Sequence, residues 1–333
     1  MCVRIAAVVA AILCAPAALA DDFYSGRQVT LLVGNNAGTA YDASARLVAR
    51  YLGANIPGKP TIVVQNMPGA TGLAAANYVW RVAPKDGSVI ANAHESLPLR
   101  QVLRDPAVQY DAAQFQWIGS PEASNQTIAV WRTAGIRTID DVKTREVLMG
   151  GTTASADSSI VLNLSNRFIG TRFKVILGYQ ANQIDLAIER GEVQGRAVIW
   201  NGLKATKADW LRDDKVALIA QLGLHPEPEL ADVPLLQDLA PTDQGKLIIQ
   251  LFSAQLALGR PLYAPVGVPA ERVAVLRTAF ERMIASREFR DEAAKINYQV
   301  RLVTGPEVED AVRRILSTPV DLVEKAGLSR HGD

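Results

Sequence analysis

The chain has 333 residues, 49% of them hydrophobic, with 35 Lys and Arg against 34 Asp and Glu and a net charge of +1. So even a balance leaves no basic stripe for nucleic acid and no acidic tail. The two cysteines, Cys2 and Cys14, both fall in the first twenty residues, so neither a disulfide framework nor a thiolate nucleophile is expected in the body of the protein.

The chain opens on a leader. Arg4 is the lone charge of residues 1–20, residues 5–13 are unbroken apolar sequence, and Ala18-Leu19-Ala20 is a small-residue cleavage signal before Asp21. The apolar run is well short of the roughly 20 residues that span a bilayer, so an export signal removed after Ala20 is expected. Cys14 follows Ile12-Leu13 and lacks the small residue that a lipoprotein processing site needs, so no lipid anchor is expected. About 313 residues then remain, with basic and acidic side chains in equal number. That is more than one hydrophobic core usually holds, and two domains are expected.

Short β-rich runs alternate with helical patterns. Strands are predicted at residues 29–33, 61–64, 89–91, 128–130, 147–149, 175–177, 197–199 and 216–220, the signature of βαβ units and parallel sheets. Leu47, Val48, Tyr51 and Leu52 form one core-facing helical stripe, and Ile160, Val161, Leu164 and Phe168 another. Residues 226–241 make the one long Pro-rich connection. Pro269 opens a long helix with Val273, Leu276, Phe280, Met283 and Ile284 inward, and further helices follow Pro306 and Pro319. A helical tail of this kind is expected to pack on a sheet already made.

The chemistry gathers in two strand-to-helix loops. Residues 34–42, Gly-Asn-Asn-Ala-Gly-Thr-Ala-Tyr-Asp, lead from the first strand into a helix, where unpaired amides and the helix dipole favour an anion. Neither the G-x-G-x-x-G spacing of a dinucleotide fold nor a P-loop is present. Thr39 and Asp42 stand at capping-box spacing, so Thr39 is expected to cap the helix while Asp42 reaches back to the Thr39 amide. A second loop of the same design, residues 150–159, carries Thr152, Thr153, Ser155 and Ser158 into the second helical stripe. Two such cups in two lobes are suited to gripping opposite ends of one dianion.

These segments resemble the periplasmic substrate-binding proteins of tripartite tricarboxylate transporters, the Bug or TctC family. Ala45-Arg46-Leu47 after the first cup is similar to that family's Ala-Arg-Leu-Leu segment. Residues 63–72, Val-Val-Gln-Asn-Met-Pro-Gly-Ala-Thr-Gly, resemble its valine-rich strand and Glu-Asn-Arg-Pro-Gly-Ala-Gly-Gly turn. Ala83-Pro84-Lys85-Asp86-Gly87, Gly178-Tyr179-Gln180, Asp232-Val233-Pro234 and Ala264-Pro265-Val266-Gly267-Val268-Pro269 match further family motifs in order. The first loop departs from the family's Pro-Gly-Gly pattern, Tyr41 precedes its Asp, and Asp157 stands where a neutral residue is usual.

The resemblance implies an α/β, two-lobed type II periplasmic-binding-protein fold with a ligand cleft between the lobes. It implies a first lobe from residues 21–120, a second from 121–248, and completion of the first by residues 249–333. It also implies a monomer in the periplasm that holds a carboxylate by loop amides and hydroxyls and delivers it to inner-membrane permease subunits. Carried over by position, the ligand residues are Gly38, Thr39, Ala40, Tyr41 and Asp42, with Gly69 and Ala70 in the neighbouring turn, and Thr152, Thr153, Ser155 and Ser158 opposite.

Three further places in the sequence carry candidate polar or aromatic groups. His94 and Glu95 lie at the carboxyl edge of a predicted strand, where His94 is placed to donate to a carboxylate. Trp200 and Asn201 end another strand, where the indole is placed to wall the cleft. Glu122, Ser124 and Asn125 sit at a first crossing between lobes, with hinge strands expected near 119–123 and 246–264. No cofactor and no metal are expected, since His94-Glu95 has no second His at helical spacing. No G-x-S-x-G elbow is present, and binding without catalysis is expected. The rival readings are an exported enzyme on the same scaffold and a ligand-sensing or adaptor protein for a two-component system.

Overall fold

The computed structural model describes residues 23–154, 156–296 and 298–325. The leader predicted at residues 1–20 lies outside them.

In chain order the strands are β1 (Gln28–Val33), β2 (Thr61–Asn66), β3 (Val89–Asn92), β4 (Gln116–Ser120), β5 (Gln126–Trp131) and β6 (Val147–Gly150), followed by β7 (Phe173–Ile176), β8 (Gly195–Ile199), β9 (Val216–Leu222), β10 (Leu262–Ala264) and β11 (Val303–Thr304). They form one sheet of order β11-β4-β10-β3-β1-β2 and a second of order β7-β6-β8-β5-β9. Each of the eight predicted strands coincides with or overlaps one of these.

The expectation of parallel sheets is corrected, because both are mixed. β1, β2 and β3 run parallel, but β10 runs antiparallel to β3 and β4, and β11 antiparallel to β4. In the second sheet β6 is parallel to β7 and β8, whereas β5 runs against both β8 and β9. Apolar periodicity reports which faces are buried and carries no direction. The hinge strand expected near 119–123 begins inside β4, which carries Gly119 and Ser120 as part of the first sheet. A Cβ at Gly119 would lie 2.7 Å from the Phe280 ring and 2.8 Å from the Val303 carbonyl, so the glycine is there to let a helix and β11 approach the strand.

Both faces of the first sheet are covered. Val29, Leu31 and Val33 of β1 pack with Leu47, Leu52, Leu276 and Phe280, while Leu32 turns to the opposite core with Ala91, Trp117 and Tyr263. The helix Ala270–Ala285 buries Val273, Leu276, Phe280, Met283 and Ile284 as its spacing predicts. The C-terminal third does more than pack on a finished sheet, since it supplies β10 and β11 to it.

The chain passes between the sheets twice. The first crossing is residues 121–125, between β4 and β5; the second follows the helix Asp243–Leu258, just before β10. This helix gives Ile248, Ile249 and Phe252 to the core of the second lobe and Leu251, Ala254 and Leu258 to the first. The hinge strand expected over 246–264 is therefore helix as far as Leu258, a strut shared by both lobes.

Candidate functional site

The parallel strands aim their carboxyl ends at one edge of each sheet, the edge where open α/β sheets hold ligands. At the first-lobe edge three loops press together. A Cβ on Gly34 would meet the Gly72 Cα at 2.7 Å, and one on Gly72 would sit 3.4 Å from the His94 Cβ. The turn after β2 is left-handed through Ala70, Thr71 and Gly72, with φ of 45°, 56° and 82°. The loops after β1 and β2 enclose an open cavity of about 450 Å³ lined by Asn35, Asn36, Thr39, Gly69, Ala70 and Thr71.

Helix Ala40–Asn55 starts in this cavity wall. Thr39 caps it, accepting the Asp42 amide at 3.4 Å and donating to the Asn36 carbonyl at 2.8 Å. The amides of Ala40 and Tyr41 belong to the first turn, which has no intrahelical acceptors for them. The predicted capping box is corrected in one respect: Asp42 accepts from the Gly38 amide at 2.9 Å, while the Thr39 amide turns to Asn36. Asp42 also accepts from Arg46 Nε at 2.9 Å and Asn66 Nδ2 at 2.9 Å. The Arg46 contact and these donors, against the opposing effect of burial, pull its pKa down to about 2. Asp42 is thus a buried carboxylate already supplied with partners, which ties the helix start to β2.

Tyr41 lies flat on His94, ring centroids 5.0 Å apart and planes 15° apart. His94 Nδ1 accepts the Ser96 amide at 3.2 Å. An amide N–H only donates, so Nδ1 is bare and the ring proton sits on Nε2, a donor of the kind a carboxylate needs. Burial, with Arg100 and Arg260 nearby, holds the His94 pKa down to about 4. Glu95 Oε2 is 3.6 Å from Nδ1, but with a neutral ring this is not an ion pair. Glu95 lines a cavity of about 20 Å³, room for one water, together with Ile160, Leu222 and Phe252 of the second lobe.

The second cup is built the same way. β6 ends at Gly150, and the Gly151 amide donates to the Ile176 carbonyl at 2.9 Å, pinning the cup to the end of β7. The carbonyl of Thr152 accepts the Gly178 amide at 3.0 Å, and that of Thr153 accepts the Ala156 amide at 3.2 Å. Helix Asp157–Ile169 has Ala156 at its N-cap, a residue whose side chain makes no cap hydrogen bond. Ser158 is half-buried in the first turn, and Ser155 lies outside the described residues. Sequence reasoning missed Ser159, which is 1% exposed and whose Oγ has no hydrogen-bond partner among the described residues.

Trp200 does not wall the cleft. It is 6% exposed, packs with Ile184, Leu203 and Trp210, and donates from Nε1 to Glu229 Oε2 at 2.7 Å. Asn201 donates its amide to Ser124 Oγ at 3.2 Å.

Sequence reasoning placed Glu122 at the first crossing but missed the cation that meets it there. Arg260, after the strut helix, pairs with Glu122 of the first crossing, and its Cζ lies 5.2 Å from the Tyr41 ring centroid. Burial raises the Glu122 pKa while Arg260 opposes the shift. Gly259 has φ +59, and a Cβ there would overlap the Glu122 carbonyl oxygen at 1.9 Å, so only glycine brings the two crossings this close. No local pattern signals this pair, since its members are more than a hundred residues apart.

Two sheets joined by two crossings, with ligand-type loops at the facing strand ends, define the class: the chain has the two-lobed α/β fold of periplasmic solute-binding proteins. A TctC solute-binding protein from Polaromonas, solved without ligand, superposes with a TM-score of 0.70 at 18% identity, covering 91% of this chain and 99% of that one. The periplasmic binding protein BugD gives 0.56 at 19% identity, covering 91% and 99%. MatC from Rhodopseudomonas palustris, solved with bound malate, gives 0.54 at 18% identity, covering 90% and 99%. No protein-family model and no curated protein sequence matches the chain.

Proposed function

We propose that this protein is a periplasmic solute-binding protein of the tripartite tricarboxylate transporter type. In this reading its leader exports it, and it works as a monomer that captures a small organic acid and presents it to inner-membrane permease subunits. The observation that carries the reading is the 450 Å³ cavity at a helix N-terminus, where Thr39, Gly69 and Ala70 meet. The Ala40 and Tyr41 amides and the neutral His94 Nε2–H supply donors for a carboxylate without a bare cation. Gly38 shapes the turn, and Asp42 positions the loop.

The second carboxylate, or the polar end of the ligand, is held by the cup of Thr152, Thr153, Ser155 and Ser158, with Ser159 beneath it. The lobes, residues 21–120 with 249–333 and residues 121–248, rotate about the crossings. Closure is driven by contacts that only the shut state makes. Neighbours of the same fold solved with malate and with adipate support a dicarboxylate as the first class to try.

A thermal-shift screen of organic acids tests this. A ligand at a hundred times its dissociation constant stabilises the native state by about 2.7 kcal/mol. A saturable shift from a mid-sized acid that is recovered unchanged is the expected result. Turnover of the acid would instead make this an enzyme on a receptor scaffold, and silence across the panel an adaptor.

A further inference from the structure

The crossings divide the space between the lobes. In the first sheet β10 and β4 separate β11 from β3, β1 and β2, and in the second β5 separates β9 from β8, β6 and β7. The anion cups lie on one side, while the ends of β9 and β11 lie on the other. There the structure holds a second cavity of about 380 Å³, reaching from Ser124 on the first crossing and Leu224 after β9 to Ala257 of the strut helix and Leu302 beside β11. This volume lies within the roughly 300–1,000 Å³ of small-molecule sites.

Its chemistry is unlike that of the cups. Ala123, Leu224, Leu256, Ala257, Leu302 and Val303 make the lining mainly apolar. The acidic and guanidinium groups in it are already matched. Arg301 donates to Glu227 Oε2 at 3.2 Å, Asp310 accepts from Arg314 Nε at 2.7 Å, and Glu307 accepts the Thr304 amide at 2.7 Å as the cap of its own helix. A carboxylate entering here would lose hydration and displace an existing pair, whereas an uncharged apolar molecule would only shed water.

We propose that this cavity is a second small-molecule site, selective for an uncharged, mainly apolar molecule of up to three rings and separate from the carboxylate cups. The test is a titration of the exported form of the protein with N-phenyl-1-naphthylamine, an uncharged probe that brightens in apolar surroundings. A saturable one-site rise is expected. Ala257→Phe, which fills the cavity, should weaken it about tenfold or more with thermal unfolding unchanged. Leu302→Glu sets a charge on a side chain that is 37% exposed, so it spares the fold, and should weaken the probe likewise. No saturable rise in the wild type, or equal affinity in folded variants, would overturn the proposal.

Discussion

Tyr41 and His94 stack at 5.0 Å between ring centroids, joining the first turn of the Ala40–Asn55 helix to the loop that follows β3. Two loops that follow different strands therefore share one wall. The stack also keeps His94 dry, and this has a consequence in pH. With the folded His94 near 4 and the unfolded one at 6.5, the unfolded chain binds more protons between those values. Its contribution to stability is fully present above pH 6.5 and is lost as the pH falls through 4. The full window amounts to at most about 3 kcal/mol. Urea unfolding of the wild type and His94→Gln across pH 4 to 7 should show a rising slope in the first and a flatter one in the second. Parallel slopes would mean that His94 titrates alike in both states.

Thr39 caps its helix, with its hydroxyl proton given to the Asn36 carbonyl, and it also lines the cavity proposed for the ligand, and the two roles separate by substitution. Thr39→Ala should cost about 1 kcal/mol of stability through the lost cap. It should also weaken an organic acid found in the thermal-shift screen about tenfold, with Thr39→Ser restoring both, measured by calorimetry. Lost stability with unchanged affinity would confine Thr39 to capping.

Ser159 offers the opposite test. Its buried Oγ has no partner among the described residues, so Ser159→Ala should leave the free protein as stable as before, or more stable by up to about 1 kcal/mol. The same change should weaken the ligand if an anion or its bound water completes that hydroxyl. A marked loss of stability without ligand would show that Ser159 is already bonded inside the lobe.

Thr71 sits at φ +56 in the turn after β2, where a β-branched residue is strained. Relief of about 1–3 kcal/mol in Thr71→Gly is offset in part by the greater freedom of glycine in the unfolded chain. A net gain of about 1 kcal/mol is expected, read as a higher urea midpoint at constant slope. A lower midpoint would mean that the Thr71 side chain contributes more than its backbone costs.

How much was legible in advance depended on the range of the interaction. The eight predicted strands, the stripe of the Ala270–Ala285 helix and both cups are written in contiguous residues, because burial period, glycine turns and capping hydroxyls act over a few positions. The first cavity draws Thr39 together with Gly69 and Ala70, which lie in a different turn, after β2. By contrast β10 and β11 have three and two residues, too few to show a period. Trp200 reads as a strand-end aromatic, and only Glu229 and the surrounding side chains draw it inward.

By itself the chain order of apolar and polar residues determined the alternation of strands and helices and the strand-to-helix turns at residues 34–42 and 150–159, since each of those is settled within one strand, turn and helix. Only the tertiary structure decided strand direction, the pairing of Arg260 with Glu122, the link from Arg301 to Glu227 and the cavity behind the crossings. Those depend on residues far apart in sequence being packed to within a bond length of contact, and no local pattern encodes such a meeting.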